Sequence, residues 1–114
     1  MEKFRFYTIK GPAAQIDKFC ATLAASLPTD WTSDAIPEPA VKGTYHNFKR
    51  PASGAIPKVS VALLVKDNLG QADVANIVPD GRSLTVAEYN SVLAEFIELA
   101  NPLAETLGLT TEET

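Results

Sequence analysis

Cys20 and His46 are the chain's single cysteine and single histidine, so any thiol–imidazole chemistry would have to come from this one pair. Cys20, however, stands between Phe19 and Leu23 on an apolar stripe at helical spacing, where a thiol serves as a small hydrophobe. A buried, inert thiol is expected. A zinc site would have to combine these two residues with scattered carboxylates that lack ligand spacing. Asp67-Asn68-Leu69-Gly70-Gln71-Ala72-Asp73 sets acids beside a glycine but has neither the alternating ligands nor the closing glutamate of a calcium loop, and it reads as a polar turn. Gly11-Pro12-Ala13-Ala14, with Lys10 beside it, joins a strand to a helix start, where backbone donors can hold an anion. It lacks the repeated glycines of a dinucleotide loop and the Gly-Lys-Ser/Thr of a P-loop, so a plain turn is the expectation. No metal and no cofactor are expected.

Other residues have the chemistry of contact rather than of catalysis. Trp31 stands among Asp30, Ser33 and Asp34, where a lone tryptophan caps a core, borders a pocket or anchors an interface. The run Tyr45-His46-Asn47-Phe48-Lys49-Arg50 interleaves aromatics with cations, a pattern found in single-stranded nucleic-acid sites. Arg82 is the only cation after Lys66, with Asp80 and Glu88 as available partners. At about 100° per residue, Glu88, Glu95, Glu98 and Glu105 fall within roughly a 100° arc of one helix. That arc contains no lysine. It reads as a solvated face, or as a surface for the basic middle segment, a second copy or a basic partner. The candidate contact residues are therefore Trp31, Tyr45, His46, Lys49, Arg50, Arg82, Glu95 and Glu98.

The net charge of −4 hides a segregation along the chain. Residues 1–38 sum to −1; residues 39–66 hold five cations and no acid; residues 67–114 hold nine acids and one cation. An acidic protein repels phosphate except at a basic patch, so nucleic acid is not the expected partner, and any contact with it would be confined to 42–50.

Several elements must position these residues. Lys3 to Ile9 alternates as a strand showing Phe4, Phe6 and Thr8 on one face. Pro12 opens a helix to about Ser26, with Ile16, Phe19, Cys20, Leu23 and Leu27 in register. Five prolines between Leu27 and Lys58 rule out continuous helix. Val41 to Lys49 reads as an edge strand, with Gly43 and the mismatched parity of Tyr45 and Phe48 predicting a bulge or an irregular course. Lys58 to Lys66 is the strongest strand, placed at the sheet's centre, and a turn leads from it to a shorter strand near Val74–Val78. Thr85 and Glu88 have capping-box spacing, opening a helix whose apolar face runs from Tyr89 to Leu107. Pro102 predicts a kink or break there, and Gly108 the helix stop.

The expected fold is α+β: an antiparallel-rich sheet of three to four strands in the order β-α-(β)-β-β-α, with two helices on one face. One domain spans residues 1–107, followed by a partly disordered tail at 108–114. The longest apolar stretch, Val61 to Val65, is far below the roughly 18–20 residues of a membrane span. Charges at Glu2, Lys3 and Arg5 interrupt any secretory apolar region, and a single cysteine forms no internal disulfide, so the expected location is cytoplasmic. The leading expectation is a non-catalytic binding or regulatory module, acting through a protein partner or self-association. A small-molecule-binding domain or enzyme with a pocket under residues 28–57 stands second. A single-stranded nucleic-acid binder using 42–50 stands third.

Overall fold

The computed structural model describes residues 3–114; Met1 and Glu2, part of the segment read above against a secretory leader, lie outside the described residues. The chain runs through β1 (Tyr7–Lys10), α1 (Ala13–Ala25), β2 (Thr32–Glu38), a 3-10 turn at Pro39–Val41, β3 (Gly43–Arg50), β4 (Val59–Lys66), β5 (Gln71–Pro79), α2 (Val86–Thr106) and β6 (Thr110–Glu113). All strand pairs are antiparallel, in the spatial order β2-β3-β4-β5-β1-β6.

Alternation decides which face is buried. Val59, Val61, Leu63 and Val65 project from one side of β4, opposite Phe48 of β3 and Val74 and Ile77 of β5, and all are buried. In β1 the buried pair is Tyr7 and Ile9. Phe6 and Thr8, read as one face of this strand, lie on its other side, and Phe6 is exposed. On the buried face α1 contributes Ile16, Phe19, Cys20 and Leu23, and α2 contributes Val92, Leu93, Phe96, Ile97, Ala100 and Ala104. Phe96 meets Tyr7 edge-on and Phe48 at a tilt, tying α2 to both halves of the sheet. Among the described residues the opposite sheet face carries no helix.

Six strands replace the expected three to four. β2 was missed because Thr-Ser-Asp-Ala-Ile-Pro-Glu buries none of its residues, so no hydrophobic alternation marks it. β6 lies within residues 108–114, read above as a tail. It is held by its ladder to β1, by the Arg5–Glu113 and Lys10–Glu112 ion pairs, and by the buried Leu109 just before it. The expected irregularity in β3 is absent: its register to β4 is continuous from Gly43 to Arg50. The mismatch of Tyr45 and Phe48 is a change of face, with Phe48 in the core and Tyr45 outside. The bulge sits in β5, where Ala75 is skipped between Val74 and Asn76.

α2 begins with the predicted capping box, Thr85 Oγ1 accepting from the Glu88 amide and the Glu88 carboxylate from the Thr85 amide. It does not break at Pro102 but continues to Thr106. Pro102 is exposed and deprives only the Glu98 carbonyl of its donor, late in the helix. Among the described residues no helix is long and apolar enough to cross a membrane.

Candidate functional site

α1 covers β3 only in part, leaving a groove of about 500 Å³ between the helix and β2–β3. Asp17, Cys20 and Ala24 form one wall, and Ser33, Ala35, Thr44 and His46 form the floor. Cys20 and His46 thus border one groove, but the electrostatics oppose a catalytic dyad. Burial, then the Asp17 charge, pushes the Cys20 thiol up to about 12. Burial likewise lowers the His46 imidazole, outweighing Asp17, and so disfavours its charged form. A thiolate–imidazolium pair needs the reverse shifts, a lower thiol and a higher imidazole. Among the described residues no group of three or more His, Cys, Asp and Glu is placed to hold a metal ion.

Strand parity divides the aromatic–cationic run. His46, Phe48 and Arg50 face the helices, whereas Tyr45, Asn47 and Lys49 face the open side of the sheet. Phe48 and Arg50 are buried, so the run does not form one exposed stacking platform. Lys49 pairs with Asp34 at 2.8 Å, and Asn47 donates to the same carboxylate. That cation and that amide hold the Asp34 carboxyl below its ordinary range.

Arg50 reaches α2. Its guanidinium donates to both Glu95 carboxylate oxygens, at 2.5 and 3.1 Å, and to the Pro51 carbonyl. The acidic arc therefore meets the basic middle segment within the chain at Glu95, while Glu98 stays exposed. Arg82 grips both oxygens of Glu88 and the carbonyls of Ser83 and Ala55, fastening the turn before α2 to the 51–58 loop. Asn90 accepts from the Arg5 amide and donates to the Lys3 carbonyl, pinning the segment before β1. These side chains are occupied in holding the fold.

Trp31, half-buried at the entrance to β2, packs against the core and does not line the groove. Lys10 pairs with Glu112 rather than standing over the start of α1. Asp73 of the calcium-like turn accepts from Thr8 and Gln71 on the open face.

Nothing in the residue pattern of β2 marks it as a surface element apart from its exposure and one proline. β2 is the free edge of the sheet, and every residue from Thr32 to Pro37 is exposed. On the open face Ile36, Tyr45 and Leu64 form one cross-strand row, and Ile36 is 52% exposed. The Asp67 amide donates to the Lys42 carbonyl, which fixes the even-numbered residues of β3 as those bonded to β4. The odd-numbered ones then bond Thr32, Asp34 and Ile36 of β2. Ser33, Ala35 and Pro37 direct their backbone groups outward, and Pro37, which has no N–H, sits where a sheet edge tolerates it. That proline was the one sequence signal for an edge strand.

Comparison of the chain with protein-family models, curated proteins and solved structures gave no match.

Proposed function

We propose that this chain is a non-catalytic binding module that engages a protein through the β2 edge and the adjoining open sheet face. The free edge strand carries this reading: it is exposed from Thr32 to Pro37, and Ile36, Tyr45 and Leu64 extend from it as a row. An edge with outward N–H and C=O groups recognises an extended segment through main-chain bonds, and an exposed apolar residue beside it adds side-chain selectivity. The raised thiol and lowered imidazole favour this reading over nucleophilic chemistry in the groove. The test is affinity capture from the native cell with wild type and with Ile36→Asp. A protein retained by wild type and lost by the variant is the expected result; equal retention by both removes the reading.

The groove beside α1 favours a second reading, a small polar ligand seated between Asp17, Ser33 and His46. It predicts a thermal shift with such a ligand that His46→Ala abolishes. A shift that persists in the variant would place the ligand elsewhere.

A further inference from the structure

We infer that β2 pairs with β2 of a second copy of this chain, antiparallel across a two-fold axis at Ala35, joining the two sheets into one. This deepens the binding-module reading and rests on it. Ala35 is the middle residue of Thr32–Glu38, so a two-fold there pairs the strand along its whole length. The outward groups match: each Ala35 N–H meets the other copy's Ala35 carbonyl, and each Ser33 N–H meets the other copy's Pro37 carbonyl. The missing Pro37 N–H leaves only the Ser33 carbonyls to water.

Charge selects the same register. With the axis at Ala35, Asp34 lies opposite Ile36 of the other copy, and Glu38 opposite Thr32. Lys49 is the next residue in that cross-strand row. Glu38, which has no ion pair among the described residues, then lies two strands from Lys49, the cation that holds Asp34, twice over. Moving the axis to Asp34 sets Asp34 against itself, and moving it to Ile36 sets Asp34 against Glu38. Like charges directly opposite destabilise a sheet. The other edge, β6, is only four residues long and carries Glu112 and Glu113 in succession, a pattern that discourages pairing.

The test is light scattering on the chromatographed protein. Wild type is expected at twice the 12.2 kDa of one chain, and Ala35→Pro and Ala35→Glu at the single mass. Proline at 35 removes an outward donor without touching the β2–β3 ladder, which uses the even-numbered residues. Glutamate at 35 sets two carboxylates face to face at the axis. Ala35 is exposed, and far-UV circular dichroism checks that both variants fold; should the proline variant unfold, the glutamate variant decides. Wild type at the single mass, or a folded variant that keeps the double mass, overturns the inference. If wild type is single yet captures a protein that Ile36→Asp loses, the self-pairing fails and the binding-module reading stands.

Discussion

Arg50 is the one buried charged side chain among the described residues, and Glu95, with 43% of its side chain exposed, is what neutralises it. Taking Glu95 away strands a guanidinium under α2. Because the carboxylate is partly solvated, the cost falls below that of a fully buried pair: Glu95→Ala should lose about 1–3 kcal/mol. Glu98→Ala, on the same acidic arc but exposed, should lose less than about 0.5 kcal/mol. Urea unfolding of the two variants separates them, and equal losses would show that Arg50 needs no partner. At Glu88 the Arg82 guanidinium, aided by the Thr85 amide, lowers the carboxyl from its ordinary 4.5 to about 2. A depressed carboxyl contributes stability that is present above 4.5 and lost as the pH falls toward 2. Thermal unfolding across that window should show a shallower pH dependence in Glu88→Gln than in wild type. An unchanged slope would mean that other carboxylates dominate.

At the scale of elements, edge strands and central strands differ in what holds them. β4 is fixed by Val59, Val61, Leu63 and Val65 in the core, whereas β6 has its ladder to β1, two exposed ion pairs and the buried Leu109 beside it. Gly11 is shaped to this arrangement, since a Cβ there would run into a Leu109 methyl. Truncation after Gly108 should therefore cost about 2–3 kcal/mol from the leucine alone, before the lost ladder is counted. Unchanged stability in urea would restore the reading of residues 108–114 as a tail. The same distinction explains what was legible. The strand 58–66, the first helix and the capped second helix were readable because each buries a periodic stripe or carries a cap. β2 and β6 were not, because an edge strand that buries none of its residues needs no apolar alternation and leaves none.

Across the whole molecule, the charge blocks of the linear sequence become specific partnerships. The cationic middle reaches the acidic C-terminal segment through Arg50 and Glu95, and residues near the two termini pair through Arg5 with Glu113 and Lys10 with Glu112. Composition fixed the totals, and alternation fixed which residues of the strongest strand enter the core. The sequence by itself determined an α+β chain with two amphipathic helices, a buried strand and a buried thiol, all properties of local spacing and residue type. Only the tertiary structure decided that the sheet has six strands among the described residues, that β3 lies between β2 and β4, and that β2 forms its free edge. Those outcomes depend on which strand lies beside which. Pairing joins residues distant in the chain through backbone groups that every residue carries, so a strand such as β2, which buries no side chain, leaves no local pattern that names its neighbour.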